Sequence, residues 1–100
     1  MTVLYFTPEA EEQAESIDRG WREHAQTNPN LFTEELEIAQ SRALQLGEAP
    51  VVYAVVDGEP VRRVYMPRAR HHLYYVFYRE LDAVIVVAIW GSRREQGPPL

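Results

Sequence analysis

The 100-residue sequence contains neither cysteine nor lysine. Without cysteine there is no disulfide framework, no thiolate nucleophile and no zinc site built on sulfur. Long apolar runs are also missing. The longest, AVIVVAIW (Ala83 to Trp90), is far too short to span a bilayer. The start, MTVLYFTPEAEE, has no positive region followed by an apolar one, so a cytoplasmic chain without a membrane partner is expected. The sequence has no glycine loop of the phosphate-cradling kind, no H-E-x-x-H and no G-x-S-x-G, and no cofactor is expected. Its length suits one small domain over residues 1–100, with no room for separate cofactor and substrate domains. A hydrophobic content of 46% with 25% charged residues indicates a folded chain.

The charge is divided unevenly. Residues 1–50 carry three arginines against ten acids, whereas residues 51–100 carry seven arginines against five acids, for a net charge of −5. Between Val61 and Arg79 there are five arginines and no acid. Arginine's planar fork suits phosphate and carboxylate. A preference for arginine codons accounts for the missing lysine but not for the clustering.

Val3 to Phe6 reads as a short strand. Thr7 can cap a following helix, Pro8 suits its first position, and Glu9, Glu11 and Glu12 favour its positive end. Ala10, Ala14, Ile17 and Trp21 give that helix one apolar stripe. The polar stretch from His24 to Asn28 ends it. Pro29 can restart a helix with Leu31 or Phe32, Leu36, Ala39, Ala43 and Leu46 as its stripe and Gly47 as its C′ residue, completing an antiparallel hairpin. Val51 to Val56 and Val61 to Met66 then read as strands about Asp57-Gly58, with the register left open by Glu59-Pro60. Leu73 to Arg79 and Ala83 to Trp90 form a second strand pair, the last apolar on both faces and therefore interior. The sum is a two-layer α+β domain: an N-terminal strand and helical hairpin packed on a mostly antiparallel sheet of four to five strands.

The acids Glu9-Glu11-Glu12-Glu15 and Glu34-Glu35-Glu37 read as solvated helix faces. Adjacent histidines of an extended segment face opposite sides, so His71-His72 is not expected to hold a metal. The segment Arg62 to Arg79 is different. It interleaves arginines with Tyr65, Tyr74, Tyr75 and Tyr78, a mixture that neutralises phosphate and offers rings for base stacking. Alternation puts Leu73, Tyr75 and Phe77 against the helices and Tyr74 and Tyr78 on the other face, beside the arginines. For metal-free RNA cleavage, His71, His72, Tyr74 or Tyr78 would carry protons and Arg68, Arg70 and Arg93 would hold the phosphate.

The order of elements, Val61-Arg62-Arg63-Val64, the strand Tyr74 to Arg79, the ending Val84 to Arg94 with IWGSRR, the TPEAEEQ opening and the Asn28-Pro29 helix start together resemble the RelE/ParE superfamily of type II toxins. The resemblance implies a toxin neutralised by direct binding of a cognate antitoxin. Operator DNA would be reached only through that antitoxin. It also implies two unlike activities: RelE-like ribosome-dependent mRNA cleavage, or ParE-like inhibition of DNA gyrase. Gly91 stands where many relatives carry a histidine ahead of the arginine, and Glu95 to Leu100 has no tyrosine or lysine. By elimination gyrase inhibition is the first expectation, with the ribosome-dependent endoribonuclease, or a degenerate toxin retaining only antitoxin binding, as alternatives. Contact candidates are Arg62, Arg68, Arg70, Tyr74, Trp90, Arg93 and Arg94. If the chain is an RNase, the candidate catalytic set is His71, His72, Tyr74, Arg70 and Arg93.

Overall fold

A computed structural model describes residues 1–24 and 27–100; the part of the polar stretch formed by residues 25 and 26 lies outside the described residues. Thr7 accepts a hydrogen bond from the Ala10 N–H at its Oγ1, 3.1 Å away, and starts α1 (Pro8–His24) behind strand β1 (Val3–Phe6). Helix α2 (Leu31–Leu46) ends at Gly47, whose φ of +48° favours glycine and whose N–H donates to the Ala43 carbonyl. Leu31 and Phe32 are both buried, whereas Leu46, assigned to the apolar stripe by its spacing, is 43% exposed.

The second half is a run of four strands: β2 (Ala54–Val56), β3 (Glu59–Met66), β4 (His71–Tyr78) and β5 (Ala83–Gly91). Asp57 and Gly58 both have positive φ, so the hairpin closes on two residues and Glu59-Pro60 belongs to β3. The strand expected over Val51 to Val56 is regular only at Ala54–Val56; Tyr53 adds one N–H to the Val61 carbonyl, and Val51 is 90% exposed. The sheet order is β1-β5-β4-β3-β2. β1 runs parallel to β5, which the intervening helical hairpin makes possible, and the other pairs are antiparallel.

Both helices cover one face of this sheet. Leu4, Phe6, Val64, Met66, Leu73, Tyr75, Val84, Val86 and Ile89 meet Ala10, Ala14, Ile17, Trp21, Phe32, Ala39 and Ala43 there. The opposite face carries a smaller cluster of Val61, Tyr74, Val76 and Ala88. A register shift pairs Tyr74 with Ala88 but Tyr75 with Val86, so Val87 bulges and both Val87 and Ala88 join that second face. Beyond Phe6, β1 no longer covers β5, and α1 takes over: Gln13 Oε1 accepts the Ile89 N–H at 2.9 Å.

Candidate functional site

Strand pairing brings most of the candidate residues to one end of the sheet. Tyr65, His72 and Trp90 lie in one cross-strand row and Met66, His71 and Gly91 in the next toward the end of the sheet; Arg63, Tyr74 and Ala88 lie two rows further in than Tyr65, beyond Val64, Leu73 and Ile89. The four-residue turn from Pro67 to Arg70 joins β3 to β4 at this end, with the Arg70 N–H donating to the Met66 carbonyl at 2.7 Å and Arg70 at a φ of +58°. The Arg70 carbonyl accepts from both the N–H and the hydroxyl of Ser92, each at 2.9 Å. That clamp places the turn bearing Arg68 and Arg70 next to the segment bearing Arg93 and Arg94.

On the helix-free face the side chains form a patch of edge-on and tilted rings. The Tyr65 and His72 ring centres are 4.9 Å apart, His72 and Tyr74 5.9 Å, and Tyr74 and Tyr53 5.0 Å. The Arg63 guanidinium lies 4.6 Å above the Tyr53 ring, and that of Arg94 lies 4.3 Å above Trp90. Rings carrying guanidiniums in this way offer both π-faces and positive charge to a ligand. The chain's own last residues cross this face. Gln96 accepts from Trp90 Nε1 at 2.9 Å, Tyr53 Oη stands where a Cβ at Gly97 would lie, and Pro99 and Leu100 border a hollow of about 430 Å³ floored by Val61, Val76 and Val87.

Burial holds the His72 imidazole below the ordinary histidine pKa, and Arg63 and His71 act in the same direction. The ring is therefore neutral at neutral pH. Its Nδ1 is buried with no hydrogen-bond partner among the described residues. Burial pushes the Tyr74 hydroxyl up, with Arg63 pulling the other way, so Tyr74 keeps its proton.

The two histidines face opposite sides, as their spacing requires. His71 sits on the helix side, its ring edge-on to Phe32 at 5.9 Å, in a cleft of about 430 Å³ between α1 and the ends of β4 and β5. Three expectations are corrected. Arg62 is not on the tyrosine face: it points to the helix side and its Nε donates to the Pro50 carbonyl at 2.9 Å. Tyr78 pairs with Ala83 at the opposite end of β4, away from the histidines. Glu35, read as part of a solvated face, is 9% exposed and accepts the Ala69 N–H. Arg63, Tyr65 and Tyr53 are the patch members missing from the candidate list. Alternation counted back from the apolar pair Val64 and Met66 would have found Arg63 and Tyr65; nothing local in sequence marks Tyr53.

No protein-family model and no curated protein matches the sequence. Solved structures do match. The isolated E. coli RelE toxin aligns over 96% of this chain and 89% of its own, with a TM-score of 0.55 and 18% identity. The intact E. coli RelBE toxin–antitoxin complex aligns over 94% of this chain and 100% of that one, at 0.59 and 19%. The chromosomal ParDE toxin–antitoxin system of P. aeruginosa aligns over 91% and 96%, at 0.60 and 14%. The chain thus has the RelE/ParE toxin fold, shared nearly end to end with members of both branches.

Proposed function

We propose that this chain is the toxin of a type II toxin–antitoxin pair and that it acts by cleaving mRNA on the ribosome. The observation that carries the activity is the helix-free patch, where a neutral histidine lies among tyrosines and guanidiniums. In the proposed reaction the 2′-hydroxyl proton passes to His72 Nε2 and the 2′-oxygen attacks phosphorus. The bond to the 5′-oxygen then breaks as that oxygen takes a proton from Tyr74, leaving a 2′,3′-cyclic phosphate and a 5′-hydroxyl. Arg63, Arg68, Arg70 and Arg94 are the proposed phosphate contacts, and Tyr65 and Trp90 the stacking platforms.

Gyrase inhibition ranked first in sequence because Gly91 cannot transfer protons and the tail has no tyrosine. Support for the alternative comes from other groups able to do that work, His72 one row and Tyr74 three rows from Gly91, both on the helix-free face. The net charge of −5 also counts less than it did. Nine of the chain's fifteen acids are on α1 and α2, and although Glu9 and Glu12 border the cleft that Trp90 and Arg94 line, screening at physiological salt acts over roughly 8 Å.

A cognate antitoxin is the proposed partner. Both edge strands are open, with Val3 and Tyr5 exposed on β1 and Val55 on β2, which suits addition of an extended antitoxin strand. The test is to give purified, antitoxin-free chain programmed ribosomes in one reaction and gyrase with plasmid DNA in another. Codon-position-dependent mRNA cutting with gyrase unaffected is the expected result. Intact mRNA with inhibited supercoiling would replace this activity with the ParE-like one, and neither effect would leave a degenerate toxin that only binds antitoxin.

A further inference from the structure

Glu35 is a carboxylate inside the helical layer, a costly place for a charge unless it is well bonded. Its Oε1 takes the Ala69 N–H at 2.6 Å, short even for a charge-assisted bond. Ala69 is itself 5% exposed and sits in the middle of the turn that carries Arg68 and Arg70. On its other side, the Ala69 carbonyl lies 2.7 Å from His71 Nδ1. A carbonyl oxygen only accepts, so Nδ1 bears the hydrogen and Nε2 is the open nitrogen, directed toward Gly91 and Arg94 at the cleft. Phe32, one turn before Glu35 on α2, packs edge-on against the same imidazole.

We infer that Glu35 is a positioning residue: by holding the Ala69 N–H it sets the arginine-bearing turn and, with it, the Ala69 carbonyl that fixes His71 as the Nδ1–H tautomer. One buried carboxylate on α2 thereby organises the loop proposed to hold phosphate. The consequence for activity rests on the RNA-cleaving reading; the tautomer does not.

The test is a long-range proton–nitrogen NMR correlation on uniformly labelled full-length chain, at a mildly alkaline pH above the ordinary histidine range. Wild type is expected to show the Nδ1–H pattern at His71. Glu35→Gln retains an acceptor, so the pattern stays while the Ala69 amide exchanges a few-fold faster, the charge assistance being gone. Glu35→Ala moves His71 toward the Nε2–H form and speeds Ala69 exchange by roughly tenfold or more. The His72 signals stay in place in both variants, which separates this local effect from general loosening. An Nε2–H His71 in wild type, or an unchanged His71 in folded Glu35→Ala, would overturn the inference. If Glu35→Ala does not fold, unchanged Ala69 exchange in Glu35→Gln would do so instead. In the ribosome assay Glu35→Ala is expected to cut about tenfold more slowly, with Glu35→Gln recovering most of the rate. A wild type that cuts nothing removes the activity reading and leaves the tautomer result to decide the positioning role.

Discussion

The two faces of β3, β4 and β5 are made from alternate residues of the same strands, yet they treat polar groups differently. On the helix side, among the described residues, the buried side-chain polar atoms have internal partners: Tyr75 Oη donates to the Gly47 carbonyl at 2.7 Å and Glu35 accepts from Ala69. On the other face, among the described residues, His72 Nδ1 is buried and unpartnered, and Arg63 and Arg94 rest on aromatic rings with no carboxylate within ion-pair distance. Both faces bury apolar groups, but the helix-free face buries fewer and leaves Tyr65 exposed beside His72. Folding alone would reward pairing the imidazole and the guanidiniums, and their lack of partners is what supports the proposal that a ligand binds on this face.

The sharpest way to break this comparison is to truncate one residue on each face. Leu73 is fully buried against the helices, and Leu73→Ala should cost about 2–5 kcal/mol in urea unfolding. Tyr65 is 46% exposed on the other face, and Tyr65→Ala should cost no more than about 0.5 kcal/mol. Equal losses would mean that both faces are structural. Next in size is Tyr75→Phe, which leaves the Gly47 carbonyl without its tether from the sheet and should cost about 1–3 kcal/mol by the same measurement. Burial pushes the Tyr75 hydroxyl pKa up, so the tether stays protonated throughout the neutral range.

A smaller, pH-dependent effect belongs to His72. Its folded pKa lies below the unfolded value of about 6.5. As pH falls through that value the unfolded chain takes the proton first, so stability present above it is lost on the way down to the folded pKa. Stability of wild type should therefore fall more steeply than that of His72→Gln across this acid window, and parallel curves would show that His72 is not desolvated. The smallest effect is expected at the exposed Arg79–Glu48 pair, 2.7 Å apart. The bond to Arg79 lowers the Glu48 pKa, but both groups are in solvent, and Glu48→Gln should not measurably move the urea midpoint.

Much of the fold was legible because local rules set it. The Thr7 cap, the Gly47 terminus, the Asp57-Gly58 turn and the facing of residues 73–78 each follow from neighbours within a few positions. Glu35 was misread because three carboxylates in four residues look like a wet surface, and its partner Ala69 lies 34 positions away. Its place four after Leu31 and four before Ala39, on the buried stripe, was the available signal. The site was only half legible. Clustering found the sheet end, yet it could not separate Arg62 from Arg63, which strand alternation sends to opposite faces. Tyr53 reaches the patch only because its N–H donates to the Val61 carbonyl at 2.7 Å and draws the segment before β2 onto β3.

The most direct test of the helix-free face compares ribosome-programmed mRNA cleavage by wild type, Arg63→Ala and Arg42→Ala, the last an exposed arginine on α2 behind the sheet. Wild type and Arg42→Ala should cut alike, and Arg63→Ala at least about tenfold more slowly. Equal cutting by all three, or loss in Arg42→Ala instead, would contradict a role for this face in cleavage.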